Sequence, residues 1–172
     1  AFAINATTGA ITVANSAALN FEATPQFLLT VQATDNGTPI ISSANTITVN
    51  LINVNEAPVV NAAGPFSIAE NTANGTNVGT AITATDPDAG QSATLQFSIT
   101  GGNTNNAFAI NATTGQITVA NSEVLNFEVT PSFTLTITAT DAGTPVLTGS
   151  TNVVVNLTNV NEAPAVNAAT FS

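Results

Sequence analysis

Residues 132–140 read Ser-Phe-Thr-Leu-Thr-Ile-Thr-Ala-Thr, and apolar and hydroxyl side chains alternate along the whole stretch. Phe133, Leu135, Ile137 and Ala139 occupy every second position, and threonines stand between them. Successive side chains of a β-strand point to opposite faces, so this period of two predicts a strand with one buried face. Threonine is also enriched on pleated, half-buried surfaces. The stretch therefore predicts a β protein.

The same period recurs on both sides of this stretch. The apolar members are Leu95, Phe97 and Ile99, then Phe108 and Ile110, Ile117 and Val119, and Val153, Val155 and Leu157. Turn residues separate these runs at Asn74-Gly75, Asp88-Ala89-Gly90, Gly101-Gly102, Thr114-Gly115 and Ala142-Gly143. No apolar period of 3.6 residues is sustained. Roughly seven strands in about 100 residues are typical of an immunoglobulin-like antiparallel sandwich.

The chain also repeats itself. The nonapeptide Ala-Phe-Ala-Ile-Asn-Ala-Thr-Thr-Gly at 1–9 recurs at 107–115, and Asn-Val-Asn-Glu-Ala-Pro at 53–58 recurs at 159–164. Both offsets are 106 residues, and residues 1–62 align with 107–168 without a gap. A unit of this length is too long for one coil of a solenoid and suits one complete β domain.

The phase of the repeat predicts the domain organisation. We expect the C-terminal part of one repeat at residues 1–57 and a complete repeat at 58–163. The start of a third is expected at 164–172, because Phe171-Ser172 match Phe66-Ser67 after one deletion. Neighbouring repeats of the same chain are therefore the first partners to expect, as in a window from a long tandem array.

The composition excludes several classes of function. The chain has no Lys, Arg or His against ten acidic residues, a formal net charge of −10, and no Cys. Nucleic acids and anionic membrane surfaces need basic residues, so neither is expected as a partner.

Without His or Cys, the usual nucleophile–base pairs and thiolate or imidazole metal sites cannot be built. A two-carboxylate hydrolase remains chemically possible, but there is no Trp or Tyr for a sugar-stacking cleft, and we predict no enzyme. The apolar runs fall far short of 18 residues, so no membrane insertion is expected in this segment.

The acidic residues are concentrated in short, turn-like motifs, and only Glu123 stands apart from them. They are Glu22, Asp35, Glu56, Glu70, Asp86, Asp88, Glu128, Asp141 and Glu162. Two like charges about 4 Å apart repel by roughly 4 kcal/mol at an effective dielectric near 20. Carboxylates gathered without cationic side chains must stay in water or take a cation from outside. The motif spacing favours a cation, and calcium is the one expected.

Each motif taken alone leaves a plainer alternative open. Asp86-Pro87-Asp88 can aim two carboxylates at one ion or form an ordinary turn. Leu125-Asn126-Phe127-Glu128 can be a strand end with a solvated Glu, and Asp141 can cap a turn with its side chain. Glu70 alone is interpreted as a surface residue. A metal-free β-sandwich repeat is therefore the alternative to a calcium-binding one.

The order of the motifs is more specific, and in that order the repeat resembles a cadherin domain over essentially all 172 residues. The matching segments are Ile68-Ala69-Glu70, Thr85-Asp86-Pro87-Asp88, Phe108-Ala109-Ile110, Thr114 to Val119, Leu125 to Glu128, Ala139-Thr140-Asp141 with Gly143 and Pro145, and Asn159 to Pro164. The resemblance implies tandem all-β cadherin-type sandwiches with Ca²⁺ bound between successive domains. Calcium takes six to eight oxygen ligands from carboxylates, amides and carbonyls.

The resemblance also implies ligand sets, carried over position by position. The junction near Pro58 would use Glu22, Asn53, Asn55, Glu56, Asp86, Asp88 and Asp141. The junction near Pro164 would use Glu70, Glu128, Asn159, Asn161 and Glu162, completed by the next repeat. Asp35 would serve the junction that precedes the segment.

Two departures from the family pattern lower the expected number of ions. The family's Leu-Asp-Arg-Glu is Leu-Asn-Phe-Glu here, with Asn20 and Asn126 in place of a carboxylate. Its linker Asp-x-Asn-Asp-Asn is Asn-x-Asn-Glu-Ala, so Asn53 and Asn159 also replace an Asp. We expect one or two ions per junction.

These features predict a calcium-stiffened structural repeat of a long extracellular stalk, adhesin or surface filament. The expected setting is the cell surface or a secreted protein, most like the cadherin-domain adhesins of bacteria. Three alternatives stay open: a homophilic cell-adhesion domain, an auxiliary binding module of a secreted enzyme, and a filament whose copies share strands. The first would need an anchoring Trp, which is absent from this segment.

Overall fold

A computed structural model describes residues 1–164 of the chain, which form two compact units. The first unit comprises Ala1–Val54, and the second begins at Asn55. Within residues 1–164 the regular structure is β-strand, with short 3₁₀ turns and no α-helix. No helix in this described range is long and apolar enough to cross a membrane. The fold class predicted from the sequence is confirmed. The predicted third repeat at 164–172 lies almost entirely outside the described residues.

The first unit contains two antiparallel hairpins. Its strands are β1 (Phe2–Ile4), β2 (Ile11–Val13), β3 (Gln26–Thr34) and β4 (Ser42–Asn50), and a 3₁₀ turn spans Ser16–Ala18. Strand β1 pairs with β2, and β3 pairs with β4. The rings of Phe2 and Phe27 meet edge to face, with centroids 5.2 Å apart, so the hairpins pack against each other.

The second unit contains the remaining strands. They are β5 (Val59–Val60), β6 (Phe66–Ala69), β7 (Asn77–Val78), β8 (Ala84–Thr85), β9 (Gln96–Gly101), β10 (Phe108–Ile110), β11 (Ile117–Val119), β12 (Ser132–Thr140) and β13 (Thr148–Thr158). The 3₁₀ turns are Gln91–Ala93, Thr104–Asn106 and Ser122–Val124. Its sheets have the orders β6-β13-β12-β9, β10-β11-β7 and β5-β8.

Strand β12, the stretch with the clearest alternation, lies inside the largest sheet. It pairs antiparallel with β13 on one edge and with β9 on the other. Phe133 is 4% exposed, and Leu135, Ile137 and Ala139 are fully buried, as the period of two predicts. The core continues through the buried residues Val78, Ile82, Phe97, Phe108, Ile117, Val119, Leu125, Val153, Val155 and Leu157.

The sheet topology gathers the acidic segments at two ends of the second unit. Strand β6 runs parallel to β13, with Ala69 opposite Thr158, so Glu70 and Asn159 leave their strands side by side. Strand β5 pairs antiparallel with β8, with Val59 opposite Thr85, and this brings the segment before Val59 close to Asp86. Glycine is required where the chain passes close to itself: Gly115 has φ +69°, and a Cβ there would overlap the carbonyl oxygen of Ile82.

Candidate metal centres

The first candidate centre, called here the proximal cluster, consists of Asn55, Glu56, Asp86, Asp88 and Asp141. Strand β8 ends immediately before Asp86 and strand β12 immediately before Asp141. The three aspartates are buried, with exposed fractions of 9%, 3% and 6% in chain order. Burial of carboxylates is costly unless they are hydrogen-bonded or bind a cation, so the contacts of each one are informative.

The aspartates of the Asp-Pro-Asp motif form a hydrogen-bonded turn. The backbone N–H of Asp88 donates to Oδ1 of Asp86 at 2.9 Å, and the N–H of Glu56 donates to Oδ2 of Asp88 at 2.9 Å. Ser92 fixes the backbone of Asp86, since its Oγ accepts from the Asp86 N–H at 2.8 Å. The second carboxylate oxygen of Asp86, Oδ2, is buried and accepts no hydrogen bond from residues 1–164. The motif therefore offers a buried, negatively charged oxygen that lacks a donor.

Asp141 is held ionised by hydrogen bonds. Burial by itself raises the pKa of Asp141, but the N–H groups of Leu147 and Gly143 and the side chain of Asn55 together lower this pKa below its usual value. The distances are 2.8 Å from the Leu147 N–H, 3.2 Å from the Gly143 N–H and 2.7 Å from Asn55 Nδ2. These donors stabilise the charged form.

Asn55 connects the linker to the loop that follows β12. Its Nδ2 donates to Asp141 and, at 2.9 Å, to the carbonyl oxygen of Pro145. Its Oδ1 accepts from Nε2 of Gln91 at 2.7 Å. The side chain lies so close to Gly143 that a Cβ at that position would overlap Asn55 Oδ1. The glycine in the Asp-x-Gly-x-Pro segment therefore makes room for the linker amide.

The second candidate centre, the distal cluster, consists of Glu70, Glu128, Asn159 and Glu162. One carboxylate oxygen from each of the three glutamates lies within 4.8 Å of the others. Glu70 is 2% exposed, whereas the other two glutamates are exposed. The N–H groups of Phe127 and Val160 donate to Glu70 at 2.8 and 2.7 Å and hold its pKa below the usual value, although burial acts in the opposite direction.

Side-chain amides hold the exposed glutamates of the distal cluster. Asn159 Nδ2 donates to Glu128 Oε1 at 2.7 Å, and Asn71 Nδ2 donates to Glu162 Oε1 at 2.9 Å. Asn161 is exposed in the same linker. The replacement of a family carboxylate by Asn159 thus supplies a hydrogen-bond donor to Glu128.

The donor sets of both clusters fit a hard cation. They offer carboxylate and amide oxygens, which are the ligands that Ca²⁺ prefers, and no thiolate or imidazole. The whole sequence has no Lys, Arg or His to balance the carboxylates. An external divalent cation would therefore relieve repulsion that no side chain of this protein can relieve.

The remaining predicted ligands lie in the first unit. Glu22, Asp35 and Asn53 are all exposed there. Asp35 Oδ1 accepts from the N–H groups of Gly37 and Ile41 at 3.1 and 2.9 Å, which are equivalent to the two backbone bonds of Asp141. Their roles as metal ligands stay predictions.

The structure corrects one interpretation and adds two residues. Glu70, interpreted from its own motif as a surface residue, is buried because two backbone N–H groups satisfy its carboxylate. Sequence reasoning did not find Gln91 or Asn71 among the candidate residues. Asn71 directly follows Glu70 and could have been included with that motif, but no motif includes Gln91.

Comparison with known proteins shows which family this chain matches. The family model described as "Cadherin domain" matches residues 65–158. Protocadherin Fat 4 of Mus musculus is 36% identical over 173 residues, covering 99% of this chain and 3% of the relative. The protocadherin-like wing polarity protein stan of Drosophila melanogaster is 39% identical, covering 91% of this chain and 4% of the relative.

Solved structures show the same likeness. Mouse Cadherin-23 EC22-24 matches with a TM-score of 0.64 and 31% identity, covering 92% of this chain and 50% of that structure. Protocadherin Gamma B2 extracellular cadherin domains 1-5 match with a TM-score of 0.67 and 27% identity, covering 94% and 32%. These relatives are animal proteins of the cadherin type, so they give no support to the expected bacterial adhesin type. The chain spans 3% to 4% of the length of the two curated relatives described above.

Proposed function

The chain belongs to the cadherin domain family, and we propose from this premise that it is an adhesion-type extracellular repeat whose acidic clusters bind Ca²⁺. One observation carries the proposal. Three glutamate carboxylates converge within 4.8 Å in the distal cluster of a protein with no cationic side chain. The buried Asp86 Oδ2, which accepts no hydrogen bond from residues 1–164, supports a cation at the proximal cluster as well.

The clusters would bind calcium through groups that are already oriented. At the proximal cluster, Asp86, Asp88, Asp141 and the amide oxygen of Asn55 would hold the ion, together with Glu56. At the distal cluster, Glu70, Glu128 and Glu162 would hold it, and Asn159 and Asn161 would assist. Calcium supplies positive charge that links carboxylates from different segments of the chain. One or two ions per junction remain our proposal for the stoichiometry.

The proposed consequence is mechanical. Linker residues at both ends of the second unit are hydrogen-bonded to acidic side chains of its body, for example Val160 to Glu70 and Glu56 to Asp88. A cation that joins linker and body carboxylates would restrict the linker, and an array of such repeats would become a stiff spacer outside the cell. Neighbouring repeats of the same chain are the partners that this role requires.

Calcium titration calorimetry tests the proposal directly. We expect a heat of binding that saturates at one to two ions per cluster. Calcium binding should weaken strongly in a D86A/D88A variant and in an E128Q/E162Q variant. Glu123 provides the matched control, because it is exposed and lies outside both clusters. An E123Q variant removes one negative charge by the same kind of substitution and should bind calcium as the unmodified chain does. Equal binding by all of these proteins, or no binding at all, would overturn the proposal.

Association between copies of the chain is a second candidate function. It is favoured by one matching structure, "Protocadherin gammaB7 EC3-6 cis-dimer structure", which has 32% identity and a TM-score of 0.58. Sedimentation equilibrium in calcium would detect it as a mass that rises with protein concentration. A monomeric mass throughout would remove self-association through this segment.

A further inference from the structure

The amide of Gln91 has an orientation that its neighbours determine. Asn55 faces two groups that can only accept, the carboxylate of Asp141 and the carbonyl oxygen of Pro145. Asn55 must therefore direct Nδ2 at them and Oδ1 at Gln91. Because Oδ1 needs a donor, Gln91 must present Nε2, and the bond measures 2.7 Å. Oδ1 and Nδ2 look alike in shape, but only this assignment satisfies the network.

This assignment leaves one oxygen without a donor. Oε1 of Gln91 is inaccessible to solvent and accepts no hydrogen bond from residues 1–164. Oδ2 of Asp86 has the same two properties, and the exposed fraction of Asp86 is only 9%. Buried acceptors are normally satisfied by a donor or a cation. Asp86 belongs to the proximal cluster, and Gln91 is hydrogen-bonded to Asn55 of the same cluster, so these two buried acceptors without a donor favour a cation there.

The backbone fixes Gln91 beside the aspartates. Gly90, with φ +84°, begins the 3₁₀ turn Gln91–Ala93, and the N–H of Gln91 donates to the carbonyl oxygen of Asp88 at 3.1 Å. The next residue, Ser92, contacts the backbone of Asp86. Gln91 therefore lies three positions after Asp88 and is tied to that residue by its own backbone N–H.

We propose that Gln91 is an additional ligand of the proximal cluster, which gives its amide oxygen Oε1 to the cation bound by Asp86. The proposal rests on the proposed calcium-binding function. In this arrangement the amide has two roles at once, because Nε2 orients the linker residue Asn55 while Oε1 faces the ion. Cation binding at Asp86 and linker docking through Asn55 are then coupled through one side chain.

Substitution of Gln91 in the full chain tests the assignment by the sign of the effect. The variants are made in an E128Q/E162Q background, so that calcium binds only at the proximal cluster. Gln91→Leu removes the oxygen and should weaken calcium binding about tenfold. Gln91→Glu keeps an oxygen at this place and adds charge, so it should strengthen binding.

Gln96 is the matched control for added charge. It is exposed on β9, and its Nε2 donates to the carbonyl oxygens of Thr94 and Leu95. Gln96→Glu should change calcium affinity much less than Gln91→Glu does. The inference fails if Gln91→Glu weakens binding as Gln91→Leu does, because Gln91 would then serve only as a hydrogen-bond donor to Asn55. It also fails if the two glutamate variants bind calcium equally.

A carbon-detected NMR titration of the unmodified chain keeps the test independent of how the variants fold. The NMR signal of the Gln91 side-chain carbonyl carbon should shift during the calcium titration, and its midpoint should equal that of calcium binding to the proximal cluster. The corresponding signal of Gln96 should not shift. Calcium binding without a shift at Gln91 overturns the ligand assignment and leaves the proposed function intact. A chain that binds no calcium overturns the proposed function itself.

Discussion

The two copies of one sequence in this chain, residues 1–54 and 107–160, have the same local structure and very different burial. In both copies a long hairpin has the same register, with Phe27 opposite Val49 in one and Phe133 opposite Val155 in the other. The edge-to-face phenylalanine pairs also match, with ring centroids 5.2 Å apart in the first copy and 5.1 Å apart in the second.

Burial differs between the copies because, among residues 1–164, further strands pair with the long hairpin of the second copy and not with that of the first. Strand β12 pairs with β9, and β13 pairs with β6, whereas β3 and β4 pair only with each other among the described residues. Val119 is 2% exposed, and its counterpart Val13 is 53% exposed. Local sequence is therefore sufficient for strands, register and the aromatic pair, but the core needs strands from earlier in the repeat.

The largest difference is expected at the equivalent residues Leu135 and Leu29. Leu135 is fully buried, and its replacement by Ala should lower the free energy of unfolding of its unit by about 2–5 kcal/mol. Leu29 is only partly buried, so the same substitution there should cost about 1 kcal/mol or less. Urea unfolding monitored by NMR signals from each unit measures both values. Equal losses of unfolding free energy would show that the two copies do not differ in the stability that burial of this leucine provides.

A smaller difference is expected at Gly115 and Gly9. Both have a positive φ, +69° and +71°, so alanine is strained at either position by about 1–2 kcal/mol. A Cβ at Gly115 would also overlap the Ile82 carbonyl oxygen, whereas a Cβ at Gly9 meets nothing within 4 Å. Gly115→Ala should therefore destabilise its unit by about 1–3 kcal/mol more than Gly9→Ala does. The same unfolding measurement would contradict this if Gly9→Ala were the more damaging.

The acidic carboxylates predict a pH dependence of stability in the second unit. Because the folded-state pKa values of Glu70 and Asp141 are lowered, their contribution is complete above the unfolded values and is lost as pH falls through the folded ones. In chelator, the melting temperature should fall from about pH 5 downward, and Glu70→Gln should reduce this fall. Glu123→Gln is the control and should leave the slope unchanged. A pH profile that Glu70→Gln does not alter would contradict the role of its two backbone donors.

No difference between the copies is expected at a purely local turn. Asn5 Oδ1 accepts from the N–H groups of Thr7 and Thr8, and Asn111 Oδ1 makes the equivalent two bonds. Replacement of either Asn by Ala should cost about 0.5–1.5 kcal/mol in its own unit. Clearly unequal costs, measured by urea unfolding, would show that surrounding strands stabilise even this turn.

Much of the fold followed from the sequence because its signals are local. The alternation at 132–140 predicted β12 and its buried face. The ligand sets were implied by the family resemblance, and the roles of those residues as metal ligands stay predictions. The parallel pairing of β6 with β13 could not be predicted, since it joins segments far apart in the chain. The burial of Glu70 depends on that pairing, because the Val160 N–H that satisfies it follows β13. The role of Gln91 could not be predicted, because it depends on a hydrogen bond to Asn55, which is 36 positions earlier.

The most direct test of calcium binding at these clusters is differential scanning calorimetry of the full chain in millimolar calcium and in excess chelator. A ligand that binds only the folded state raises its stability. We predict a marked rise in the melting temperature of the second unit with calcium, which is lost in D86A/D88A and retained in E123Q. An unchanged melting temperature in the unmodified chain would contradict this prediction and indicate a metal-free sandwich whose clustered carboxylates bind no calcium.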